Sequence, residues 1–163
     1  TSGFECPYPC ANRSHATESI SINNETISFA NINAPTVDTL TIPVKPYTNI
    51  MSLIDCDQSK AHDVIKTVLM DGRRNACQDN GICTPSAQCF HLPTSTSVDW
   101  MHLHTLNAPV PDELFPCLPG IDSGCPLNTK DYVCISSNQG NIWNNTDIGA
   151  KTIIQSAMNM LQN

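Results

Sequence analysis

Nine cysteines, Cys6, Cys10, Cys56, Cys77, Cys83, Cys89, Cys117, Cys125 and Cys134, set the terms on which this 163-residue chain folds. At that density in a small chain they are expected to pair as disulfides, which places the chain in an oxidising compartment. Zinc is the competing use, because Cys6-Pro-Tyr-Pro-Cys10 is a CxxxC. A structural zinc site needs a second clean pair or a Cys/His couple at ligand spacing, and the histidines do not supply one. Nine is odd, so one thiol is left either unpaired or intermolecular.

Connectivity is not legible, since even eight paired cysteines allow about 105 arrangements. Geometry disfavours one pair. A helix between Cys56 and Cys77 is about 22 Å long, and the return from Gly72 reaches at most about 17 Å. A bridge needs Cα atoms within about 7 Å, so Cys56 is expected to pair elsewhere, in the far C-terminal group.

Three N-glycosylation sequons agree with the cysteines: Asn12-Arg13-Ser14, Asn24-Glu25-Thr26 and Asn144-Asn145-Thr146. They predict covalent N-glycans at Asn12, Asn24 and Asn144, all on the surface. The sequence begins at Thr1-Ser2-Gly3 with no charged and apolar leader, as expected of a secreted chain whose signal has been removed. No apolar run approaches the roughly 18 residues of a membrane span. The net charge is -7 with eight Lys and Arg, and Arg73-Arg74 is too small a pair to make a phosphate-binding stripe. Nucleic acid and anionic membrane surfaces are therefore not expected partners.

The pattern predicts an α+β, disulfide-rich extracellular domain spanning 1–163, with 1–46 as an N-terminal β extension suited to assembly. Within "ESISINNETISF", Ile20 and Ile22 share a face, Asn23 to Thr26 turn, and Ile27 and Phe29 resume the alternation. A third strand follows through Leu40, Ile42 and Val44, and Pro43 marks it as an edge because proline cannot donate to the ladder. Ala61, Val64, Ile65, Val68 and Leu69 form the apolar stripe of a helix over 57–71, capped by Asp57 and closed by Gly72. On this reading Arg73-Arg74 compensates the end of the helix dipole. A second amphipathic helix is expected over 147–161, capped by Asp147, with Ala150, Ile153, Ile154, Ala157, Met158 and Leu161 inward. Between them, 73–143 reads as a Cys/Pro-rich irregular region with short strands at 98–106 and 131–135.

The most suggestive chemistry is His102-Leu103-His104. Residues two apart on a strand face one side, so both imidazoles can approach one metal ion with Glu113 or His91 as a third ligand. The competing reading is plain packing beside Val98 and Trp100. Cys89 and His91 would make a nucleophile pair only if Cys89 were a free thiol, which a cystine-rich chain does not favour. Asp112, Glu113, Asp122 and Asp131 offer carboxylates without fixing any separation. No catalytic residue and no cofactor is therefore assigned, and His102 and His104 stand as metal candidates.

Three functional classes follow as expectations. The first is a non-catalytic structural glycoprotein, a homo-oligomer or polymer joined through strand edges. The second is a secreted recognition module for a protein or glycan. The third is a small disulfide-stabilised hydrolase using a metal at His102 and His104.

Overall fold

The computed structural model describes residues 21–22, 25–30, 38–45, 47–93, 100–107 and 128–162. Their order is β1 (Ser21–Ile22), β2 (Thr26–Ala30), β3 (Asp38–Pro43), α1 (Ile50–Cys56), α2 (Gln58–Asn80), β4 (Ala87–His91), β5 (Leu103–Leu106), β6 (Tyr132–Ser136), a 3-10 turn (Ser137–Gln139), α3 (Asn141–Asn144) and α4 (Thr146–Gln162). The strands form one antiparallel sheet in the order β1-β2-β3-β5-β4-β6, five of them four residues or longer beside a two-residue edge. The architecture is α+β, and among the described residues no helix is long and apolar enough to cross a membrane.

The expected hairpin is present, with Ile22 opposite Ile27 and Ser21 opposite Ser28. Thr26 belongs to the strand instead of the turn, and Asn24 lies outside the described residues. β3 is not an edge, because it pairs with β2 on one side and β5 on the other. Pro43 is tolerated because it is the last residue of β3, where the ladder passes on to a bond from Val44 N–H to the Glu25 carbonyl at 2.8 Å. The N-terminal strands are therefore continuous with the rest of the sheet.

Helices α2 and α4 cover one face. Phe90, Leu103, Val133 and Ile135 point from the sheet into a core shared with Ile65, Leu69, Ala150 and Ile153. Toward β2 and β3 the same face becomes polar, and burial there is tolerated because the groups are hydrogen-bonded. Thr26 Oγ1 donates to Asp71 Oδ2 at 2.6 Å, Asn75 Nδ2 donates to Ser28 Oγ at 2.8 Å, and Gln88 Nε2 donates to the Leu69 carbonyl at 3.0 Å.

This seam explains why α2 runs past Gly72. A Cβ there would lie 2.8 Å from Thr105 Oγ1 and 3.0 Å from Leu103 Cδ2, so the glycine permits close approach of helix and sheet. The helix ends instead at Gly81, whose φ of 72° suits glycine, and Cys77–Cys83 staples that end. Arg73 and Arg74 are consequently inside α2: Arg73 lies over the Trp143 ring at 3.7 Å, and Arg74 pairs with Asp71 at 2.7 Å.

Two expected caps also differ. Asp57 makes no side-chain cap; its Oδ2 accepts from Lys45 Nζ and from Tyr47 Oη, both at 2.6 Å. Asn145, not Asp147, caps α4, its Oδ1 accepting from the amides of Asp147 and Ile148 at 3.1 and 3.3 Å. Asp147 instead reaches across to His62 Nε2 on α2 at 3.1 Å.

The Cys/Pro-rich region holds β4, β5 and β6, half of the sheet: β6 matches the strand expected at 131–135, β5 occupies only the last four residues of that expected at 98–106, and β4 is a strand the pattern does not predict. Its second staple is Cys89–Cys134, between residues directly opposite on β4 and β6. Cys56 is also disulfide-bonded, and with Cys77 joined to Cys83 its partner lies outside the described residues. Cys6, Cys10, Cys117 and Cys125 lie there too.

The outer edge of β6 is occupied by side chains. The amides of Tyr132, Cys134 and Ser136 donate to Thr129 Oγ1, Asn128 Oδ1 and Gln139 Oε1 at 3.2, 3.0 and 2.8 Å. An incoming strand would have to break these bonds before it could pair.

Candidate metal centre

Alternation on β4 and β5 sends neighbouring residues to opposite faces. Leu103 and Phe90, opposite each other in the register, enter the helical core. His104 faces the other way and opposes Cys89, and His102, two residues before it, shares its side. His91 stands two residues beyond Cys89 on β4, where the same register carried one step further meets His102. The sheet thus assembles three imidazoles, His91 from β4, His104 from β5 and His102 from the residue just before β5.

The assembly is tight. One ring nitrogen from each of His91, His102 and His104 lies within 4.8 Å of the others. The His104 ring centroid is 5.0 Å from that of His91 and 5.1 Å from that of His102, both edge-on, while His91 and His102 are 6.5 Å apart. His104 is buried and the other two are half-buried. Imidazole nitrogens bound to one zinc at about 2.0–2.1 Å sit about 3.3 Å apart, so small side-chain rotations close the gap.

Hydrogen bonds at Nδ1 of two of the rings select which nitrogen each can offer. His102 Nδ1 is 2.8 Å from the Trp100 carbonyl, which only accepts, so Nδ1 carries the proton and Nε2 keeps its lone pair. Trp100 is itself fixed, its Nε1–H donating to the Pro43 carbonyl at 2.9 Å while its ring packs on Ile27 and Ile42. His104 Nδ1 is 2.7 Å from Asp38 Oδ2. Burial, followed by repulsion from His104, lowers the pKa of His102 from 6.5 to about 4 despite the opposing bond to Trp100. The ring is neutral at physiological pH, the form that ligates metals.

Three imidazoles are borderline donors that suit zinc, copper, nickel or cobalt and do not suit calcium or magnesium, which prefer oxygen. Ordinary packing explains edge-on rings. It does not require a ring nitrogen from each of three histidines to converge while Nδ1 of two of them is held by a carbonyl and a carboxylate, bonds of the kind seen around metal-bound histidines.

The structure sorts the remaining candidates. His102 and His104 are brought together with His91, and Glu113 lies outside the described residues, as do Asp112 and Asp122. Asp131 is exposed at the start of β6. Cys89 is bridged to Cys134, which removes the thiolate that a Cys89/His91 nucleophile pair requires. Asn144 is exposed at the end of α3, and Asn12 lies outside the described residues. Sequence reasoning missed Asp38, whose only signal was a lone acidic residue opening an apolar strand.

A scan of known protein families found no match to this chain, and a search of curated proteins found none either.

Proposed function

We propose that this chain is an extracellular, disulfide-stabilised glycoprotein that binds one divalent transition-metal ion of the zinc, copper and nickel class through His91, His102 and His104. The observation that supports it is the convergence of three ring nitrogens within 4.8 Å on a rigid sheet. Sites carried on strands hold their ligands more precisely than sites on loops. The Cys89–Cys134 bridge adds to that rigidity by fixing β4 against β6 beside the cluster.

Self-assembly by strand addition gains nothing at β6, whose outward amides are taken by Thr129, Asn128 and Gln139. Metal binding is the reading with a built arrangement of side chains behind it.

Equilibrium dialysis against zinc, with metal analysis of the retained protein, tests the proposal. The expected result is one equivalent bound, retained in excess calcium and magnesium, and lost when His91, His102 and His104 are all changed to Ala. Failure of the wild-type protein to retain zinc, or undiminished retention by the triple variant, refutes it.

A further inference from the structure

We propose that Asp38 is the positioning residue of this centre, holding His104 with its proton on Nδ1 and thereby directing the Nε2 lone pair toward the metal. The inference rests on the metal-binding reading and deepens it, since that reading needs only the three imidazoles.

Asp38 opens β3, the strand on the other side of β5 from β4. In the register it opposes Leu106, while Leu40 opposes His104, so Asp38 meets the imidazole along the diagonal of the ladder. Its side chain is 0% exposed and that of His104 4%, with 2.7 Å between Oδ2 and Nδ1. A carboxylate oxygen and an unprotonated ring nitrogen at that distance would place two lone pairs against each other. The proton therefore resides between them, on Nδ1, and Nε2 is the nitrogen with which the metal-ligating form of the ring would coordinate.

His102 reaches the same tautomer by a different route, through the neutral Trp100 carbonyl. Asp38 differs in bringing a negative charge. A carboxylate behind a ligating imidazole raises the basicity of the opposite nitrogen and offsets part of the charge of a divalent ion. Burial away from water strengthens both effects. Asp38 therefore contributes to affinity without touching the metal, and the centre draws on three strands, β3, β4 and β5.

Two measurements test this. In the metal-free wild-type protein, long-range proton-nitrogen NMR of the histidine rings is expected to show His104 protonated on Nδ1. Asp38→Ala is expected to weaken zinc binding about 10- to 100-fold, the range found when such outer partners are removed. Asp38→Asn is expected to lose less, because its amide oxygen still accepts from Nδ1. A His104 ring protonated on Nε2 in the wild type, or a folded Asp38→Ala protein with wild-type zinc affinity, overturns the inference. If Asp38→Ala does not fold, the wild-type tautomer decides alone. Zinc binding by the wild type that Asp38→Ala leaves unchanged removes this inference and leaves the metal-binding reading standing, whereas a wild-type protein that binds no zinc removes both.

Discussion

Under α2 and α4 the sheet presents Phe90, Leu103, Val133 and Ile135 to helical Ile65, Leu69 and Ile153; on its other face it gathers His91, His102, His104, Asp38 and the Cys89–Cys134 bridge. The two sets are interleaved residue by residue. Phe90 lies between Cys89 and His91, and Leu103 lies between His102 and His104. A strand period of two lets four or five residues serve both a hydrophobic core and a polar cluster. The apolar face supplies stability that is not directional, since burial acts through area. The histidine face depends on direction, because each ring has to be turned and protonated in one way. Each face should therefore be alterable without abolishing the other.

The largest expected effect on stability is on the helical face. Leu69→Ala leaves a cavity in the core and should cost about 2–5 kcal/mol in urea unfolding, with the zinc equivalent still bound once the protein is folded. Loss of zinc binding by folded Leu69→Ala would show that the faces are not separable.

Gly72→Ala should cost about 1–3 kcal/mol through overpacking against Thr105, more than the gain of about 1 kcal/mol that alanine brings to a helix interior. A more stable protein would mean that Thr105 and Gln88 repack without loss, and that the close approach of α2 to β5 is not required.

His91→Ala sharpens the contrast from the other side. It should change unfolding stability by less than about 1 kcal/mol in metal-free buffer. Zinc affinity should nonetheless collapse, so thermal stabilisation by added zinc should vanish. Unchanged stabilisation by zinc would assign the ion to another place.

The smallest effect is expected where Asp57 ties the segment before α1 to the start of α2. Hydrogen bonds from Lys45 and then Tyr47 lower its pKa below the ordinary 3.8. A lowered carboxylate pKa contributes stability that is present above the unfolded value, about 3.9, and is lost as the pH falls through the folded value. The difference in stability between wild type and Lys45→Met should therefore stay constant above about pH 5 and shrink below about pH 4. A difference that persists in acid would point to the Lys45 ammonium lying over the Tyr47 ring, 5.1 Å from its centroid, instead of the ion pair.

The stripe Ala61, Val64, Ile65, Val68, Leu69 was legible because a core-facing helix repeats every three to four residues. Its end was not, because Gly72 serves interhelical-scale packing against a sheet that the local pattern does not show. The strand β4 went unread for a related reason: Ala87, Gln88, Cys89 and Phe90 are all buried, so no alternation marks them, and Gln88 is inside only because Leu69 and Thr105 accept its amide. That omission carried over to the site. The spacing of His102 and His104 follows from one strand and can be read directly. Choosing His91 as their third member requires the pairing of β4 with β5, and finding Asp38 requires the pairing of β3 with β5. Pro43 misled for the opposite reason, since its position at the end of β3 removes the penalty that would have forced an edge.

The measurement that tests the metal centre most directly is X-ray absorption at the zinc edge of the zinc-loaded wild-type protein. A nitrogen and oxygen first shell at about 2.0–2.1 Å with the outer-shell scattering of three imidazoles is expected. A sulfur shell at about 2.3 Å, or a first shell without imidazole scattering, would contradict it.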